Sequence, residues 1–291
     1  MHTTLAVAPE QGQPLGLLWQ KLWHREPKPK QPTSETHSQK KARIAAARKA
    51  AREKPFEEKE SYRWVEAIKA VEEQFQAVEK PLRETKEQFE ETSALIKEQT
   101  LSIHIFDREG DIAEVFDQIR QMKRTGVVVR ASHDRSLDPN TAHLWEYLIA
   151  QPIQFYQDIA LPATPKRQER TANLAVRFCP VQLRCPRRLD NQNSFDIYAV
   201  YALEINPPEG EKALSWMLLT TETVTNSKEA ATILRWYTYR WHVEEYHKIL
   251  KSGTQVESYR LAATSMESLL GFLTVIAAEL LRVTYLHRVV L

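Results

Sequence analysis

The chain has 291 residues, 42% of them hydrophobic, with 40 Lys plus Arg against 38 Asp plus Glu. That is enough apolar material for one large core or two smaller ones, and too near to neutral for a wholly basic or acidic tail-like protein. Its two Cys, Cys179 and Cys185, fit neither a metal-ligand spacing nor a disulfide framework, so two thiols in a reducing compartment are expected.

The first residues, MHTTLAVAPEQGQP, carry no basic stretch followed by a long apolar run, so no secretory signal is read there. His2–Val7 is strand-like, residues 8–14 have turn chemistry, and Leu15–Trp23 is apolar again, which predicts a hairpin. Arg25 to Lys54 is polar, with three Pro in its first part. Between Ser38 and Lys54, seven Lys and Arg stand against the single acid Glu53. From Pro55 to about Gln99 the composition turns helical, and Trp64, Ile68, Val71 and Phe75 recur at helical steps.

A short strand, Leu101–Phe106, is closed by Asp107; a helix is expected over Asp111–Lys123, then a strand over Val127–Arg130. Residues 132–221 read as strands separated by Pro- and Asn-containing turns. A long helix is predicted from Ser227, as N-cap, to Lys251, with Gly253 as its stop. The last apolar stretch, Leu269 to Val283, is interrupted by Glu279 and Arg282 and reads as a buried helix, too short and too charged to span a bilayer. A soluble, cytoplasmic protein is expected.

The chemistry concentrates in the run YTYRWHVEEYHKILK. At about 100° per residue, Arg240, Glu244 and Lys251 fall near 300°, 340° and 320° from Tyr237, so the four share one helix face. A carboxylate flanked by cations and a phenol can hold a hard divalent ion while gripping phosphates beside it. The same spacing also suits a plain solvated face on which Arg240 and Glu244 form an ordinary i,i+4 pair. Trp236 and Trp241 read as core or flanking residues. Two basic concentrations, Ser38–Lys54 and Lys166–Arg188, suit either a DNA backbone or a solvated loop.

Tyr237, Arg240, Glu244 and Lys251 together resemble the YREK signature of a large family of bacterial insertion-sequence transposases, the IS-four, transposon-five-like group. Collinear segments extend the likeness over nearly the whole chain: EEKESYRW (57–64), FDREGDI (106–112), VVVRASH (127–133), EINPPEGEKALSWMLLTTETV (204–224) and KSGTQVESYRL (251–261).

The resemblance implies an α/β chain with an RNase H-like core interrupted by a β-rich insertion: residues 1–131 as the first core part, 132–221 as the insertion, and 222–291 as the core helices. It implies DDE chemistry, in which two Asp and one Glu hold two Mg²⁺ or Mn²⁺ ions roughly 3.5–4 Å apart. Asp107 matches the second Asp and Glu244 the Glu. Tyr237, Arg240 and Lys251 match phosphate-contacting positions. Trp216 matches an aromatic associated with a flipped base, a strand-core Trp being its plain alternative, and Arg130 matches a further DNA contact. Asp111 reads as a helix N-terminal charge, or as an auxiliary acid.

The departure is the first Asp, since no Asp precedes Asp107. The family's N-terminal DNA-binding and C-terminal dimerisation regions have no match either, so a core truncated at both ends and inactive on its own is expected. The partners implied are transposon-end DNA and a second copy or an intact transposase. A non-catalytic DNA-binding or inhibitory fragment stands as the alternative function.

Overall fold

The computed structural model describes residues 1–23, 35–84, 101–138, 142–161, 168–189, 194–259, 261 and 263–290. The chain is mixed α/β. Strands β1 (His2–Val7) and β2 (Pro14–Lys21) form the hairpin expected from the sequence. Helices α1 (His37–Glu53) and α2 (Tyr62–Glu84) follow; the rest of the predicted helical stretch, residues 85–99, lies outside the described residues.

A second sheet has the order β3-β4-β8-β7-β6-β5. Its strands are β3 (Ser102–Phe106), β4 (Thr125–Arg130), β5 (Phe155–Leu161), β6 (Arg170–Arg184), β7 (Ser194–Glu204) and β8 (Ser215–Thr220). β3 and β4 run parallel, and every other neighbouring pair is antiparallel. The strands of residues 132–221 therefore continue the sheet begun by β3 and β4, joined to it through the β4–β8 ladder.

Both faces of this sheet are covered, which explains the unbroken apolar runs VVV and MLL. Val127, Val129, Ala199, Tyr201, Met217 and Leu219 point to one core, and Val128, Val200, Ala202, Trp216 and Leu218 point to the other. The first face is packed by α2 and by two short helices, α3 (Ala113–Ile119) and α4 (Leu144–Ile149), through Ile68, Phe116, Leu144 and Leu148. The second is packed by α5 (Ser227–Tyr239) through Ala230, Ile233, Leu234 and Tyr237. Cys179 is half-buried and Cys185 buried, and both are free thiols.

The helix expected over 227–251 is not continuous. It divides into α5, α6 (Trp241–Lys248) and a π-helical turn, Ile249–Gly253. At Arg240 the bonding tightens to i→i−3: Arg240 N–H donates to Tyr237 O and Val243 N–H to Arg240 O, both at 3.3 Å. The Thr238 hydroxyl also donates to Arg235 O at 2.6 Å, a side-chain bond that bends helices. The N-cap is Asn226, one residue before the expected Ser227, and its side chain accepts from Glu229 N–H at 3.0 Å.

The last helix, α7 (Ala263–Val290), departs from the buried helix expected. It packs Ala277, Ala278 and Leu281 against Tyr246 and Leu250 of the preceding segment, with Leu5 and Leu17 of the hairpin at the edge. Its opposite face is exposed, with Phe272 74% accessible. The stretch Thr264–Val289 is long and apolar enough to cross a membrane by length and composition, although Glu279 and Arg282 lie within it.

The turn between β1 and β2 is held from three sides. The His242 imidazole lies 2.8 Å from Gly12 O, and the Tyr285 hydroxyl donates to Gln11 O at 2.6 Å. Gly12 has φ +75°, and a Cβ there would lie 2.4 Å from the Tyr239 ring. Gly12→Ala is therefore expected to lower stability by about 1–2 kcal/mol from the left-handed backbone alone. Urea unfolding followed by circular dichroism reads this out, and an unchanged midpoint would contradict it.

Candidate functional site

Asp107 ends β3 and caps the short turn Arg108–Gly110, its Oδ1 accepting from Glu109 N–H at 2.9 Å. The turn is packed against its own strand, since a Cβ on Gly110 would lie 2.5 Å from Phe106 Cβ. The loop is then fastened from beyond. Asp111, only 1% exposed, accepts from Ser132 N–H at 2.7 Å and from Arg135 Nη2 at 2.6 Å. The helix that was to begin at Asp111 begins instead at Ala113. Asp111 is thus an anchor between two loops rather than a helix-end charge.

The kink between α5 and α6 carries the next two candidate residues. Arg240 is half-buried and donates to Glu244 Oε1 at 2.9 Å. Burial works to lower the Arg240 pKa, but the hydrogen bond to Glu244 and the nearby Tyr237, Glu244 and Asp107 groups raise it above its ordinary value. One guanidinium is therefore within electrostatic reach of both acids matched to the DDE pattern.

Further along the helix, His247 feels Lys251 on one side and Glu244 on the other; burial, the first cause, lowers its pKa. Arg240 is bonded to Glu244 and feels the charge of Asp107, and His247 in turn feels those of Glu244 and Lys251. Lys251 is exposed on the π-helical turn, a feature that often accompanies functional positions.

Each acid uses one carboxylate oxygen, Asp107 on Glu109 N–H and Glu244 on Arg240. The other oxygen of each has no hydrogen-bond partner among the described residues. Asp107 is half-buried and Glu244 exposed. Two such oxygens suit a hard cation that takes one or two protein carboxylates and keeps its waters. No group of three or more His, Cys, Asp or Glu that could hold a metal comes together among the described residues.

The remaining predicted residues sit differently. Tyr237 and Trp216 are buried at 4% and 8% exposure, and their rings meet edge-on with centroids 5.1 Å apart. Trp216 occupies the core position that its plain alternative assigned to it, so it buttresses the wall carrying Tyr237. Arg130, at the end of β4, donates to Ser215 O at 2.8 Å and faces another space. That space is a cleft of about 590 Å³ lined by Arg108, Arg130, Trp145, Arg170, Lys212 and Met217, among others.

Within the cleft, Arg170 is neutralised by Glu204 and Glu211. Arg108, Arg130 and Lys212 have no carboxylate partner among the described residues. Arg108, which lines the cleft, is the residue after Asp107, while Asp107 and Glu244 do not line it. Arg108, Trp145 and Lys212 come from three distant parts of the chain, so no local pattern in the sequence signals their meeting.

The two basic segments separate. Helix α1 has a capping box, with Thr36 accepting from Gln39 N–H, buries none of its residues, and keeps its Lys and Arg in solvent. In the second segment, Lys166 and Arg167 lie outside the described residues. Arg170, Arg184 and Arg188 are paired with acids, and Arg177 donates to Gln151 O. Among its described residues, three of the five Arg are thus neutralised within the fold, and Arg177 and Arg187 have no carboxylate partner. No family model matches the chain.

Proposed function

We propose that this chain is the DNA-gripping core of a DDE transposase with an RNase H-like fold and a β-rich insertion. The observation that carries the reading is the bond from Arg240 to Glu244 at 2.9 Å, with Asp107 close enough for its charge to act on the same guanidinium. These two acids stand far apart in the chain, and the signature pairs them chemically. The exposed Lys251, the exposed α1, and Arg108, Arg130 and Lys212 of the cleft, without a carboxylate partner among the described residues, add support.

In this reading Arg240 and Lys251 hold phosphates of a transposon end, one as a fork and one as a point charge. Tyr237, fixed by Trp216, keeps that wall rigid. The free oxygens of Asp107 and Glu244 would hold Mg²⁺ or Mn²⁺, which supplies the activation of a water or a 3′-hydroxyl against a phosphodiester. The family uses a third carboxylate, and no Asp precedes Asp107 here. This chain alone is therefore proposed to bind DNA without cutting it, which also gives it the chemistry of an inhibitor of intact transposase.

The test combines metal and DNA titrations on the purified chain. Mn²⁺ binding, read by electron paramagnetic resonance, is expected to weaken at least tenfold in Asp107→Asn and in Glu244→Gln. Duplex affinity is expected to fall steeply with salt, with the log–log slope reduced by about one in Lys251→Ala. Salt-insensitive or absent DNA binding would overturn the reading, as would Mn²⁺ binding indifferent to both acids. Nicking that vanishes in Glu244→Ala would instead overturn only the proposed inactivity.

A further inference from the structure

We infer that the space between β1 and β3 is a slot for one added strand. Its occupant is an extended aliphatic segment of another protein, pairing through its backbone with both edges. Strand β1 is partnered by β2 and strand β3 by β4, so each is an edge of its own sheet. Among the described residues no backbone hydrogen bond joins either of them to a third strand. Such an edge presents a row of unpaired N–H and C=O groups.

The two sheets share their covers. Helix α2 reaches both: Glu66 bonds Lys21 of β2 at 2.6 Å, and Glu72 accepts from the Thr125 hydroxyl of β4 at 2.9 Å. Its Trp64 ring lies 4.4 Å from the His2 ring of β1 and 4.9 Å from the Phe106 ring of β3. One indole with a ring on either side spans roughly the 9–10 Å between two strands that lack the one between them. The alternate residues of β3, Ile103 and Ile105, pack with α5, and Leu5 of β1 packs with Tyr246 and Leu250.

The two edges run in opposite directions. Met1 and His2, where β1 begins, line a cavity of about 420 Å³ together with Glu109, just beyond the end of β3. A strand laid between them is therefore parallel to one edge and antiparallel to the other. Each edge strand also buries a polar atom without a hydrogen-bond partner, Thr3 Oγ1 on β1 and His104 Nε2 on β3. Buried polar groups are nearly always satisfied, so two orphans on these two strands fit a sheet that is one strand short.

Chemistry selects the occupant. An extended peptide backbone can bond two strand edges at once, and a nucleic acid cannot, so the slot is separate from the DNA reading. Apolar covers lie on both faces, which calls for an unbroken aliphatic run rather than an alternating one. Strands β1 and β3 have six and five residues, which sets the length of the run.

The experiment is hydrogen exchange on the full chain with the synthetic peptide KKVIVIVKK. Amides of β1 and β3 are expected to exchange about tenfold more slowly with the peptide at saturation. Those of β5, the far edge of the larger sheet, are expected to be unchanged. N-methylation at either of two adjacent central residues is expected to weaken binding at least tenfold, because neighbouring N–H groups point to opposite edges.

Protection of only one of the two strands, or equal protection of β5, would overturn the proposal, since any sticky edge would then do. So would a loss at only one of the two methylated positions, the mark of a one-sided ladder. Absence of protection at millimolar peptide would overturn it outright.

Discussion

Asp111→Ala is expected to lower the stability of the protein by about 3–5 kcal/mol, the range for removing one partner of a buried ion pair. The carboxylate is fully enclosed. Its Oδ2 accepts from Ser132 N–H, the Ser132 hydroxyl and His133 N–H at 2.7, 3.2 and 3.1 Å. Its Oδ1 accepts from Arg135 Nε and Nη2 at 3.1 and 2.6 Å. Truncation leaves two backbone donors without an acceptor, and it strands a guanidinium that is itself only 15% exposed.

Asp111→Asn retains an acceptor for the two backbone donors but cannot balance the Arg135 charge, so it is expected to fall between the wild type and the alanine variant. Urea midpoints at constant slope measure both. A loss below about 1 kcal/mol for the alanine variant would show that the loops after β3 and β4 do not depend on this pair. The same bonds tie the segment after Asp107 to the end of β4. A Mn²⁺ titration of Asp111→Asn is therefore expected to show weaker binding, although this side chain lies outside the candidate site.

The second expected result concerns acid. His104 is buried on β3, its Nε2 has no hydrogen-bond partner, and burial pushes its pKa down from 6.5 to about 4. The folded state holds this imidazole neutral, whereas the unfolded chain binds a proton below its ordinary pKa. Stability is therefore fully present above about pH 6.5 and is lost as pH falls towards 4. The slope is about 1.4 kcal/mol per pH unit and the whole window about 3 kcal/mol.

His2 is shifted in the same direction, to about 4, by burial and then by the nearby Arg63 charge, the chain N-terminus and His247. It contributes in the same window. His104→Phe, beside the Phe106 ring at 5.8 Å, removes one of the two groups. The variant is expected to lose about 2 kcal/mol less than the wild type between about pH 7 and pH 5. Parallel pH profiles would show this burial assignment to be mistaken.

Local chemistry made part of this molecule legible. The hairpin is written in two apolar runs around EQGQP, and Asp107 is visible as the polar stop of an alternating strand. The spacing of Arg240 and Glu244 was enough to expect their i,i+4 pair, whereas Tyr237, expected on the same face, is buried against Trp216. What the sequence hid depends on long-range contacts. A uniform step of about 100° per residue could not reveal the tightening at Arg240, which follows from bonds at Thr238 and Tyr237. The same uniform step misses the π turn that carries Lys251.

Asp111 read as a helix-end charge because its partners, Ser132 to Arg135, lie well beyond it in the chain, across β4. Trp216 and its neighbours alternate between two cores, which a continuous apolar run does not disclose. The apolar text of α7 suggested burial, yet composition carries no account of how many sides a helix has covered.

The hold on the β1–β2 turn bears on how the chain is made. Gln11, Gly12 and the Tyr239 ring come together only when residues up to Tyr285 are in place. Leu5 and Leu17 likewise find their cover in Tyr246, Leu250 and Leu281. During synthesis Leu5 and Leu17 thus emerge more than two hundred residues ahead of Tyr246, Leu250 and Leu281, and this apolar side of the hairpin is open to aggregation in the interval.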